Sequence, residues 1–206
     1  IIYYRFEKDT SMKTKIAKII RVATVPPIIV TILILILMLT RPDIFRSPLE
    51  AVFSIFCLGI VPALAYPLQP FIPALKNNKR EGQRTLAFIL TAVGYTIAVI
   101  TGYILHVTAS LQFLYNGYFV SVIMLVIFNK LLHIRASGHA TSITGPLIFL
   151  IFFVGSYAVI PCIIMGVLVA WSSLFLKRHK ASDLAFGALV CLIAFAIMYP
   201  VYTAAL

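Results

Sequence analysis

The chain is short of carboxylates. Its 206 residues include six, Glu7, Asp9, Asp43, Glu50, Glu81 and Asp183, so Asp183 stands alone beyond Glu81. Membrane enzymes that move phosphate or prenyl groups with Mg²⁺ need several clustered carboxylates to hold that hard cation. No metal site, and no other cofactor, is therefore expected. Charge of either sign is scarce: 11% of residues are charged, against about 25% in a soluble domain. With 62% hydrophobic residues, that deficit excludes an ordinary soluble domain and indicates an all-α, multi-pass membrane protein. Cysteine is also sparse. Cys57, Cys162 and Cys191 all lie inside apolar runs without metal or redox spacing, and read as small core hydrophobes.

The charge that is present is mostly positive, at net +11. The basic residues sit between apolar runs and form no aromatic-interleaved basic surface. The expected partners are the bilayer and a phosphorylated ligand rather than nucleic acid. Apolar runs recur at the length of a membrane-crossing helix, about 20 residues. They place spans at 22–40, 49–69, 85–107, 112–132, 140–155, 158–176 and 183–205, about seven in all. Gly155-Ser156 is the hairpin point in the apolar stretch 140–176. Residues 1–21 form a basic amino-terminal segment and 22–206 a single transmembrane domain with no repeat. Met12-Lys-Thr-Lys resembles a natural start, so Ile1–Ser11 read as an upstream extension. Seven spans put the amino terminus and the loops 70–84, 130–139 and 177–183 on one face, leaving only Arg41 and Arg46 on the other. The positive-inside rule makes the basic face cytoplasmic.

Two polar islands interrupt the hydrocarbon on that face. The first, Lys130-Leu-Leu-His-Ile-Arg-Ala-Ser-Gly-His139, combines Lys130 and Arg135 with a Ser137-Gly138 bend that opens a new helix. Free backbone N–H groups beside fixed positive charge suit a phosphate. The second runs from Ser172 to Asp183. His179 and Asp183 are four apart, so on a helix they share a face with Cβ atoms about 5–6 Å apart. The carboxylate can then accept one ring N–H and leave the other nitrogen free as nucleophile or base. Lys177, Arg178 and Lys180 surround the pair. The competing reading is a basic loop that anchors two helices at the headgroups, with Asp183 favouring the start of the last one. His133 reads as an interfacial residue, and His106 as a structural one at the opposite face.

Taken together, residues 112–205 resemble the type 2 phosphatidic acid phosphatase superfamily of integral-membrane lipid phosphatases. Ala136-Ser-Gly-His139 is similar to the family's Pro-Ser-Gly-His block. Ser172, His179 and Asp183 fall at the spacing of its Ser-Arg, five residues, His, three residues, Asp block. Lys130 and Arg135 stand for a compressed first block, with Lys76 and Arg84 as a rival read as interfacial charge. Ser173 occupies the position of the third-block Arg, so Lys177 or Arg178 would have to replace that ligand. The resemblance implies a six-helix catalytic core and metal-independent hydrolysis of a lipid phosphate or polyprenyl (di)phosphate. It makes His179 the nucleophile, Asp183 its orienting partner and His139 the acid and then base. Lys130, Arg135, Ser137, Gly138, Ser172, Lys177 and Arg178 would bind phosphate. The family commonly places its site outside the cytoplasm, against the charge count here. A non-catalytic binder or carrier of anionic lipid, or a phosphotransferase, remains an alternative, and the pattern assigns no oligomeric state.

Overall fold

A backbone in lipid must satisfy its own polar groups, so each long apolar run folds into helix. The computed structural model describes residues 11–76 and 79–206, and among these there is no strand. Residues 1–10, most of the expected upstream extension, lie outside the described residues, as does the side chain of Lys76. In chain order the principal helices are α1 (Met12–Ala23), α2 (Pro26–Thr40), α3 (Pro48–Phe71) and α4 (Lys79–Ile104). They continue with α5 (Ala109–Leu131), α6 (Gly138–Val154), α7 (Ser156–Phe175) and α8 (Ala181–Thr203).

Five of these, α3, α4, α5, α7 and α8, are long and apolar enough to cross a membrane, and α1 with α2 would make a sixth. The chain is a multi-pass membrane protein. The count of seven meets two local departures. The first expected span does not run straight from residue 22, because α1 and α2 meet at a 60° bend. Pro26 and Pro27 cause it, since proline lacks an N–H and clashes with the preceding turn, yet suits the first helical positions. The second departure is α6, whose 17 residues span about 26 Å of a hydrocarbon core about 30 Å thick. It stops where expected: Gly155 takes φ +83°, a left-handed conformation that glycine adopts without a Cβ clash.

α1 is amphipathic. Ser11 caps it by accepting the Thr14 N–H at 3.3 Å. Thr14 and Ala17 are buried on the side packed against α7, while Met12, Ile16, Ile19 and Val22 are exposed. Lys13, Lys15 and Lys18 are exposed beside that apolar stripe, the distribution of a helix lying at a membrane surface.

Between membrane helices, burial of hydrocarbon drives little association, so close contacts at small residues carry the packing. α8 lies against α5 and α6, α4 against α3 and α5, and α7 covers α6 from outside. Gly94 of α4 sits beneath the Cys57 carbonyl of α3, and Gly117 of α5 against the Phe149 ring of α6. Ile160, Ile163, Ile164 and Val167 of α7 point outward, as lipid-facing residues do. Aromatic rings pack together at one end of the bundle: Phe113 stacks on Tyr202 at 4.6 Å and meets Phe149, Phe152 and Phe195 edge-on. There Arg41 grips both Asp43 oxygens at 2.8 and 2.7 Å and donates to the Phe153 carbonyl at 2.9 Å, joining the ends of α2 and α6.

These glycine contacts set a stability prediction. In Gly94→Ala the new Cβ meets a backbone carbonyl that cannot rotate away, and overpacking of this kind costs about 1–3 kcal/mol. The thermal midpoint in detergent should fall by a few degrees. Gly166→Ala, whose Cβ would meet only Leu147 Cδ1 at 3.7 Å, should leave it unchanged.

Candidate functional site

At the other end of the bundle the two polar islands meet. α5 closes in a π-turn over Ile127–Leu131, and Asn129 in that turn holds the loop that follows. Its Nδ2 donates to the Leu125 and Ala136 carbonyls at 2.9 and 3.2 Å, and its Oδ1 accepts the Ala136 N–H at 3.1 Å. Ser137 then caps α6, its Oγ accepting the Ala140 N–H at 3.3 Å. This puts His139 in the first turn of α6, as the Ser-Gly bend predicts.

The start of α8 is fastened to the start of α6 by the backbone itself. The Ser137 N–H donates to the Asp183 carbonyl at 2.8 Å, and Thr141 Oγ1 lies 3.0 Å from the Gly187 carbonyl. Cys191 Sγ donates to the Thr141 carbonyl at 2.9 Å. Gly187 permits this approach, since a Cβ there would lie 2.5 Å from the Ser137 oxygen.

His179 differs from expectation in one respect. It does not share a helical face with Asp183, because α7 ends at Phe175, α8 starts at Ala181, and His179 lies in the turn between them. The pair forms at the helix entrance instead. The buried Asp183 carboxylate accepts the Lys180 N–H at 3.3 Å, lies 3.4 Å from Arg135 Nε, and reaches 4.0 Å from His179 Nδ1. His179 Nε2 is 3.4 Å from Ser137 Oγ. At 4.0 Å the carboxylate is too far for a hydrogen bond to the ring. Nδ1 of His179 and Nε2 of His139 are both buried without a hydrogen-bond partner in the structure.

Both histidines line one cavity of about 750 Å³. Arg21, Arg84, Lys130, Arg135 and Arg178 also line it, with Glu81 the one carboxylate among its wall residues. Away from the charges the wall turns apolar and aromatic, through Leu125, Tyr95, Tyr118, Phe149 and Phe195. Of the expected phosphate ligands, Lys130, Arg135, Gly138 and Arg178 are on this wall. Ser137 and Asp183 stand behind the histidines, and Lys177 is not on the wall. Ser172 is off the wall: it is fully buried and donates to the Val169 carbonyl of its own helix at 3.0 Å. Ser173 is buried beside it. His133 is exposed in the loop at φ +53°, and His106 ends α4 at φ +50°.

Two cations on the wall lie outside the motif: Arg84, which the sequence reads as interfacial charge, and Arg21, which belongs to the basic amino-terminal segment. Arg21 carried a readable signal: Thr14, Ala17 and Arg21 recur at i, i+3 and i+7, one face of a helix that is otherwise lysine and aliphatic.

The surroundings favour neutral imidazole. The pKa of His179 is pushed below the ordinary histidine range by burial and then by the Arg21 charge, opposed by Asp183 and reinforced by Arg135 and Arg84. No protein-family model, curated protein or solved structure matches the chain.

The Asp183 contribution gives a measurable sign. Asp183→Asn removes the group that favours the protonated ring but keeps an oxygen for the Lys180 N–H. The His179 titration, followed by NMR of labelled imidazole in micelles, should therefore move to lower pH than in the wild type.

Proposed function

We propose that the chain hydrolyses a lipid phosphate or polyprenyl (di)phosphate without metal, through a phosphohistidine. One observation carries this reading: two imidazoles from distant islands line a single cavity whose wall combines five cations with apolar and aromatic side chains. An amphiphile with an anionic head matches that combination. On this reading the protein is a member of the type 2 phosphatidic acid phosphatase superfamily, with about seven spans, a six-helix core and its site on the cytoplasmic face.

Each residue then has a task. His179 Nε2 attacks phosphorus in line, and Asp183 steadies the ring from the Nδ1 side and stabilises the cation that forms. The bound phosphoryl anion favours a protonated His139, and the P–O bond breaks as that imidazolium gives its proton to the leaving group, the alkoxide of a lipid monophosphate or the lipid monophosphate of a diphosphate. His139 next takes a proton from water, whose oxygen attacks the phosphohistidine and frees phosphate and His179. Lys130, Arg135, Arg178 and the N-terminus of α6 at Gly138 balance charge on the phosphoryl oxygens. Arg178 answers the vacancy left at Ser173, since it is on the wall and Lys177 is not.

The test is phosphate release from phosphatidic acid and from polyprenyl diphosphate by the full chain in detergent with EDTA. His179→Ala, with its thermal midpoint retained, should lower release by a factor on the order of 10³ or more. Equal release by wild type and variant overturns the reading. Binding without release by the wild type favours the non-catalytic carrier. The acid limb of kcat/KM should rise as His179 loses its proton, with a midpoint below the ordinary histidine range.

A further inference from the structure

We infer that Arg21, carried by α1, is a further ligand of the bound phosphoryl group. This rests on the phosphatase reading for its chemistry, but on separate residues for its geometry. Arg21 lines the same cavity as His139 and His179. Its positive charge opposes protonation of His179, as the charges of Arg135 and Arg84 do.

The backbone that carries Arg21 is fixed from both sides. Upstream, Thr14 and Ala17 are buried where α1 packs on α7. Downstream, Thr24 Oγ1 donates to the Ile20 carbonyl at 2.8 Å, and Pro26 and Pro27, which begin α2, line the cavity themselves. The 60° bend between α1 and α2 falls between Arg21 and these prolines, so both sides of the bend contribute to the same wall. A guanidinium held in this way offers paired N–H donors to two phosphoryl oxygens, which a lysine ammonium cannot reproduce.

The experiment titrates inorganic phosphate into the full chain in detergent micelles, by calorimetry, in parallel with the release assay. Arg21→Gln should bind phosphate about tenfold more weakly or worse, with an unchanged thermal midpoint. Arg21→Lys, which keeps the charge and loses the fork, should bind several-fold more weakly. Lys15→Gln, on the exposed side of the same helix, should bind as the wild type does. Unaltered affinity in folded Arg21→Gln overturns the inference, as does unaltered affinity in Arg21→Lys should only that variant fold. Absence of phosphate binding by the wild type overturns it too. Arg21-dependent binding in a protein that releases phosphate from no lipid sustains the Arg21 assignment and removes the phosphatase reading. Lipid-phosphate release with unaltered binding in Arg21→Gln does the reverse.

Discussion

Asp183 is the group on which the candidate site depends, and both of its oxygen functions are used. Its main-chain carbonyl receives the Ser137 N–H, which holds the entrances of α6 and α8 together. Its carboxylate receives the Lys180 N–H and faces Arg135 and His179. A carboxylate with so little access to water is costly unless donors and cations gather round it. Beyond Glu81 no other side chain supplies negative charge. The loops carrying Arg135 and His179 therefore converge on this one residue, which brings His139 and His179 to a common wall.

The hydrocarbon setting explains how so open a cavity sits inside so small a bundle. Helices in lipid gain little by squeezing out apolar surface, and Gly94, Gly117 and Gly187 provide the few places where backbones and rings close up. Between those pins the helices diverge enough to leave the cavity. The polar groups around it are mostly occupied by the framework: Asn129 holds the Ala136 loop and Thr141 bridges α6 and α8. Five cations, Glu81 and the two imidazoles share the wall with them, Arg84 paired with Glu81 and Arg135 beside Asp183.

Much of this was legible in the residue order, for a physical reason. Long apolar runs have only one backbone solution in lipid, so the helices fall where hydropathy puts them, and Gly155 marks the break between α6 and α7. The Ser-Gly-His spacing likewise placed His139 in a first helical turn. The misses share a cause: each depends on a direction that spacing does not encode. His179 and Asp183 are four apart, yet the turn before α8, not a helix face, sets their geometry. Ser172 is at the motif's position, but a buried hydroxyl on a helix can satisfy itself on its own carbonyls, and it does. Arg21 is remote from either island in sequence. Only the bend at Pro26-Pro27 brings it back.

The aromatic knot of Phe113, Phe149, Phe152, Phe195 and Tyr202 has a mechanical consequence. Its rings come from α5, α6 and α8 and clasp those three helices at the end of the bundle away from the histidines. At the histidine end, α6 and α8 are clasped again by the Ser137–Asp183 and Thr141–Gly187 contacts. Fastened at both ends, α6 and α8 form a stiff beam against which the rest of the bundle leans.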